Sequence, residues 1–208
     1  MTDGGENAMA KRTRAEELIF TRNKILTTAR DLFMEKGYRT VSTRDIATQC
    51  QMTQPALYHH FKDKESLYVE VVRQLTIEIH ADMIPIEQAA FEPKVQLKAM
   101  LMMLIENHPT NIVMMIHDIL NELKKENQFL MFQLWQSTYL DPFKRLFTRM
   151  AEDGVLRDGV TSETAARYCL STISPVFASD SPFRTGSISD RLDELIDFMM
   201  FGICKKEV

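Results

Sequence analysis

The segment Ser42–Leu67, STRDIATQCQMTQPALYHHFKDKESL, constrains this chain more than any other, because its helix signals follow so closely that only two short helices, a tight turn and the start of a third fit. Ser42 and Asp45 form an S-x-x-D capping box, in which the hydroxyl takes the N3 amide proton and the carboxylate reaches back to the Ser42 amide. Ile46 and Ala47 are the inward residues of the helix that starts there. It has little room before Gln51-Met52-Thr53, where Thr53 caps a second helix with Pro55 in its first turn. In that second helix Leu57 and Phe61 lie one turn apart and face the core with Ala56, which leaves Gln54, Pro55, Tyr58 and His59 outward. Helix, short turn, helix, with such residues outside, suits a surface that reads DNA.

The Gly37-Tyr38 turn, the Arg44-Asp45-Ile46-Ala47 run and above all Leu57-Tyr58-His59-His60-Phe61-Lys62-Asp63-Lys64-Glu65-Ser66-Leu67 resemble the pattern of the tetracycline-repressor (TetR) family of bacterial transcriptional regulators. The resemblance covers roughly residues 18 to 80. It implies an all-α chain: a three-helix helix-turn-helix DNA-binding domain, then a helical ligand-binding and dimerisation domain, about nine helices in all. The expected division is an arm over 1–14, the DNA-binding domain over 15–62, a connecting helix over 63–83 and a regulatory and dimerisation domain over 84–208. One departure stands out. The family usually carries glycine in the turn where this chain has Gln51, and a left-handed residue without glycine's freedom costs about 1 kcal/mol. Either Gln51 accepts that strain or the turn differs.

A chain of 208 residues with 45% hydrophobic content builds one large or two small packed domains. No run approaches the roughly 18 apolar residues of a membrane span, and the polar start MTDGGENAMAKRTR is no secretory signal, so a cytoplasmic protein without membrane contact is expected. Cys50, Cys169 and Cys204 lack metal or C-x-x-C spacing and read as reduced, small hydrophobes; no metal and no cofactor are expected. The formal charge of −4 divides unevenly: residues 1–80 hold 12 Lys and Arg against 11 Asp and Glu, the remainder 13 against 18. An acidic second half therefore masks a head in which Arg39, Arg44, Lys62 and Lys64 cluster around the motif. Lys11, Arg12 and Arg14 fit either a flexible arm on phosphates or a solvated terminal charge run.

Apolar periodicity lays out the helices. Ile25, Ala29, Leu32 and Phe33 mark one from about Ala15 to Lys36, stopped by Gly37. Leu67, Val71, Leu75 and Ile79 mark a connecting helix from Lys64 to about Met83, ended by Pro85. Beyond it no strand alternation occurs. Pro93 opens a helix whose Val95–Ile105 stretch is apolar on nearly every side and reads as central. Pro109 opens the next, which frays over Lys124–Gln128. A long pattern from Phe129 to Met150 predicts a kink at Pro142 in preference to a break. Two last helices flank a turn-rich segment from Ser179 to Ser189.

At the DNA face, Arg44 has the geometry for guanine O6 and N7, and Gln54 for adenine N6 and N7. Pro55 and Ala56 can meet a thymine methyl. Thr43, Tyr58, His59, Lys62 and Lys64 suit phosphates, with Lys62 and Lys64 at the amide-rich start of the connecting helix, and the cap residues Ser42 and Thr53 complete the nominated DNA-binding set. The other reading for each is a solvated surface residue, and the motif favours contact. Two such heads in a homodimer would span successive major-groove faces about 34 Å apart, hence a palindromic operator.

Ten of the 14 methionines lie between Met83 and Met200, and methionine-rich interiors deform easily. A pliable cavity walled by Phe91, Met100, Met103, Leu104, Trp135 and Tyr139, with Asn107 and His117 as polar anchors, would admit a hydrophobic small-molecule effector; the bland reading is plain core. In the family resembled, the last two helices form a four-helix bundle with a second subunit, which nominates Ala166, Leu170, Ile173, Phe177, Leu192, Leu195, Ile196, Met199 and Ile203 as the dimer interface, packing within one subunit being the other reading. No phosphate loop, G-x-S-x-G or H-E-x-x-H supports an enzyme. A TetR-like DNA binder answering to a protein partner, or to nothing, is the alternative to an effector-released repressor.

Overall fold

The computed structural model describes residues 13–107, 112–177 and 187–205, and these are helical almost throughout. The helices are α1 (Arg14–Lys36), α2 (Thr43–Gln49), α3 (Gln54–Tyr58), α4 (Lys64–Gln88), α5 (Pro93–Asn107), α6 (Ile112–Glu122), α7 (Lys125–Trp135), α8 (Asp141–Glu152), α9 (Ser162–Phe177) and α10 (Ile188–Ile203). A π-helical turn, Gln136–Leu140, joins α7 to α8 without a break. With α7 to α8 taken as one rod, the described residues form nine helices. Helices α1 to α3 build the head, α4 leads into the body, and α5 to α10 build the body.

Capping chemistry sets most of the starts. Thr13 with Glu16, Ser42 with Asp45, Asp63 with Ser66 and Ser187 with Asp190 each close a reciprocal box. The core follows the expected steps: Ile25, Ala29, Leu32 and Phe33 of α1 pack with Leu67, Val71, Leu75 and Ile79 of α4, all buried. The centre of α5 is less uniform than its sequence suggests. Leu97, Met100, Leu101 and Leu104 are buried, whereas Val95 is exposed.

Three expected boundaries differ, two of them for contacts distant in sequence and the third for a local π turn. Helix α4 does not end before Pro85 but runs to Gln88. Proline removes one N–H, and the last turn is held from outside: Gln96 donates to the Ile86 and Glu87 carbonyls at 2.7 and 3.1 Å, and Arg145 makes two bonds to the Glu87 carboxylate at 2.8 and 2.9 Å. Helix α7 starts at Lys125, four residues before Phe129, because Glu65 of α4 accepts the N–H of its cap residue Lys124 at 2.8 Å. At Pro142 the helix neither stops nor merely bends. The absent N–H is absorbed by the π turn, in which the Asp141 N–H reaches back to the Gln136 carbonyl. Pro109 itself, most of the turn-rich stretch and Lys11 and Arg12 of the arm lie outside the described residues, the helix expected after Pro109 is described from Ile112 as α6, and Arg14 already begins α1.

The end of α8 turns at Gly154, φ 72°, and the chain's last described residues return to that loop. Arg157 donates to the Ile203 carbonyl and Lys205 to that of Val155, both at 2.9 Å, giving one isolated antiparallel bridge, Leu156 to Cys204.

Candidate nucleic-acid interface and effector cleft

The reading head is built on α2 and α3 and held from behind by α1. The Ser42 hydroxyl accepts the Asp45 N–H at 3.1 Å, while the Asp45 carboxylate accepts the Ser42 N–H and O–H at 2.9 and 2.6 Å; these bonds hold the Asp45 carboxyl below its ordinary range. Thr53 caps α3 through the Ala56 N–H at 3.3 Å. Leu57 and Phe61 are buried, as the one-turn spacing predicts.

The turn between α2 and α3 answers the question Gln51 raised. Gln51 has φ 58°, and it alone among the described non-glycine residues has a positive φ. Its N–H donates to Thr48 and that of Met52 to Ala47, at 3.0 and 2.9 Å, the paired bonds of a Schellman motif. The same two bonds recur at the end of α8, where Gly154 holds the left-handed position. Gln51 therefore accepts the strain. Two α1 cations steady the head: Lys24 donates to the Cys50 carbonyl at 2.9 Å, and Arg22 donates to the His60 carbonyl at 3.1 Å while lying over the Phe61 ring. Neither was legible in the sequence, since each spans more than twenty residues and no local pattern marks it.

Among the nominated DNA contacts, Ser42, Arg44, Thr53, Pro55, Tyr58, His59 and Lys62 are exposed, and Gln54, Ala56 and Lys64 are half-buried. Thr43 is different. It is buried, its Oγ1 accepts from Gln54 Nε2 at 2.8 Å, and it lies 3.1 Å from the Tyr58 hydroxyl. That triad ties the start of α2 to α3, so Thr43 orients its neighbours and Gln54 has one amide proton committed internally. Lys64 also turns inward, 4.2 Å above the Tyr38 ring. Burial pushes its pKa down, against the fields of Glu122 and Asp118. Asp63 occupies the cap of α4 and accepts the Ser66 N–H at 2.7 Å, so one amide there is already used.

In the body a cleft of about 300 Å³ opens between α4, α6 and α7, lined by Val72, Thr76, Met115, Ile116, Ile119, Leu120, Gln128, Met131, Phe132, Leu134, Trp135 and Tyr139. None of these side chains is charged. Of the nominated pocket residues, Trp135 and Tyr139 line it. Met100, Met103 and Leu104 are packed in the core instead, Phe91 is half exposed after α4, and His117 faces outward from α6; the Asn107 side chain lies outside the described ones. The nominated interface residues Ala166, Leu192, Ile196, Met199 and Ile203 are buried inside a single copy, where α10 packs on α5 and α9, and so have no surface left for a partner. Leu170 and Leu195 are half-buried, and the Ile173 and Phe177 side chains are not described. The exposed aromatics on these helices are Tyr168, Phe198 and Phe201.

A capped helix-turn-helix head joined by one long helix to an all-helical body defines a DNA-binding regulatory protein. The family is specific: residues 25–71 match the model of bacterial regulatory proteins of the tetR family. The match covers the head alone, residues 25–71, and it is this head that is similar to that family. It is 38% identical over 71 residues to the Transposon Tn10 TetC protein of Escherichia coli, covering 34% of this chain and 36% of that protein, so it spans about a third of that relative's length. It is 24% identical over 153 residues to the HTH-type transcriptional repressor KstR2 of Rhodococcus jostii, covering 73% of this chain and 75% of that one. The fold is similar to that of AibR in complex with isovaleryl coenzyme A and operator DNA, with a TM-score of 0.70 at 20% identity over 86% of this chain and 97% of that chain. No helix of the described residues is long and apolar enough to cross a membrane.

Proposed function

We propose that the protein is a repressor that binds a palindromic operator as a homodimer and is released by a small hydrophobic effector. One observation carries this reading. Helix α4 begins beside the reading head and, about 12 to 18 Å further along at 1.5 Å per residue, supplies Val72 and Thr76 to the wall of the apolar cleft. A ligand that favours one position of α4 in the cleft must therefore bias the head, and DNA must in return weaken that ligand.

The cleft favours an uncharged, apolar ligand. Two of its polar side chains are already occupied locally: Thr76 donates to the Arg73 carbonyl, and Gln128 to the carbonyls of Leu120 and Leu123. An apolar body fills it without stranding a charge. AibR, similar in fold, is described with both an acyl thioester of coenzyme A and operator DNA, in line with an apolar group entering such a body. At the DNA face, Arg44, Gln54, Pro55 and Ala56 are the base-reading residues, and Ser42, Thr53, Tyr58, His59 and Lys62 the phosphate contacts. The dimer forms through Tyr168, Phe198 and Phe201 of α9 and α10, the outward edge of helices whose inner faces are spent on their own core. In this reading α1 to α3 form the DNA-binding head, α4 is the connecting helix and runs on to Gln88, and the later helices form the regulatory body.

Selection of bound duplexes from random sequence tests the DNA half of this reading: a palindrome is expected, and unrelated sequences without symmetry would reject it. A thermal-shift panel of lipophilic compounds tests the other half. Stabilisation by a compound that also lowers operator affinity is expected, and no stabilisation by any compound favours a DNA binder answering to a protein partner or to nothing.

A further inference from the structure

Head and body are joined by more than α4. Two carboxylates cross the boundary in opposite directions. Asp118, on the body helix α6, is 5% exposed and accepts the backbone N–H of Tyr38, 80 residues earlier in the α1–α2 turn, at 2.7 Å. Glu65, in the first turn of α4 beside the head, accepts the Lys124 N–H at 2.8 Å and the Asn127 side-chain amide at 2.6 Å, at the start of the body helix α7. Lys124 has no side-chain cap of its own, so the first turn of α4, beside the head, supplies the cap that the body helix lacks.

The site is built to be stiff. The Tyr38 ring meets the Tyr68 ring edge-on at 4.9 Å, Tyr68 meets Phe33 at 5.1 Å, and the Lys64 ammonium covers the Tyr38 ring. Desolvating a carboxylate as fully as Asp118 is costly unless a charge-assisted bond offsets it, and here the acceptor is aimed at a single backbone donor on the other unit. One helix between two bodies leaves bending and rotation open. Bonds on either side of that helix, one to the α1–α2 turn and one to the start of α7, remove them. The same helices, α6 and α7, wall the cleft through Met115, Ile119 and Gln128.

The geometry points to Asp118 and Glu65 as positioning residues that fix the angle of the reading head on the body and thereby set the half-site spacing the dimer accepts. This rests on the reading of the protein as a dimeric DNA binder. In such a dimer a head displaced by about 3.4 Å meets the neighbouring base pair, so the tolerance on the angle is small. Neither residue touches DNA in this arrangement; both act through Tyr38 and through α7.

The test is selection of bound duplexes from random sequence with the full-length wild type, Asp118→Ala and Glu65→Ala, followed by affinities for the selected palindrome and for one isolated half-site. Wild type returns one spacing. Each variant, checked as folded by its helical circular dichroism, accepts neighbouring spacings, and its ratio of palindrome to half-site affinity falls by about tenfold while half-site affinity stays within roughly twofold. Asp118→Asn keeps an acceptor for the Tyr38 N–H and restores most of the ratio. If Asp118→Ala does not fold, Glu65→Ala carries the test. An unchanged single spacing with an unchanged ratio overturns the proposal, as does an equal loss on half-site and palindrome, which would assign both residues to the stability of the head. Wild type that selects no palindrome removes the dimer reading itself, and this inference with it.

Discussion

Replacing Gln51 by glycine stabilises the head. An L-residue held at φ 58° costs about 1 to 2 kcal/mol against its ordinary conformations. Glycine removes that cost but loses about 0.5 to 1 kcal/mol more chain entropy on folding, so the net gain is about 0.5 to 1 kcal/mol. No side-chain term competes, because Gln51 is exposed and its amide makes no hydrogen bond among the described residues. The molecule supplies its own mirror experiment at the end of α8. Gly154 sits at φ 72° in the same motif, and a Cβ there meets nothing within 4 Å, so Gly154→Ala is purely conformational and costs a similar amount. The single tryptophan, Trp135, lies in the body and would miss a change in the head. Amide hydrogen exchange across residues 42–61 is the suitable assay, and a gain of this size slows it by about two- to fivefold. Gln51→Ala is the control, as it keeps the Cβ that makes the conformation costly. Equal exchange in Gln51→Gly and Gln51→Ala refutes the reasoning, since relief of the left-handed strain would then contribute nothing.

Three further outcomes follow from the same geometry. Gln54→Ala relaxes preference at one base pair by about 1 to 3 kcal/mol and, by freeing Thr43 and Tyr58, raises exchange at the start of α2; competition binding with single-base operator variants measures the first effect, and uniform weakening across all variants would count against base reading. Phe198→Glu places a charge at the proposed dimer face and raises the dimer dissociation constant by about 30-fold or more, read by sedimentation; an undisturbed dimer would move the interface elsewhere. Burial alone would raise the Glu65 carboxyl, but the bonds from Asn127 and Lys124 outweigh it and hold it below its ordinary 4.5. A lowered folded value stabilises above the unfolded one and is lost as pH falls through the folded one. The stability difference between wild type and Glu65→Gln, measured by urea denaturation, is therefore flat above about pH 5.5 and closes below pH 4.5; a difference that grows in acid would reverse the sign.

What the sequence determined by itself is local. Caps and one-turn spacings are contacts among residues three or four apart, so Ser42 with Asp45, Thr53 with Ala56, and Leu57 with Phe61 could be read directly, and with them the two short helices and the head they build. The irregularity at Gln51 was legible for the same reason, although only the backbone decided between a strained residue and an altered turn. The body was legible as helices but not as surfaces. An apolar stripe states that a face is buried and not against what, so Leu192, Ile196 and Met199 of α10 pack on their own subunit while Phe198, one residue away, stays outside. The cleft divides on the same ground: Trp135 and Tyr139 line it, while Met100, Met103 and Leu104 are spent on the core and α6 supplies further walls. Only the tertiary structure decided what depends on partners far apart in the chain: Glu65 starting α7 four residues early, Gln96 and Arg145 carrying α4 past Pro85, Lys64 turned onto Tyr38, and Asp118 reaching back 80 residues to the head. Such bonds have no period along the chain, because the fold that brings their two ends together is itself the sum of many local choices.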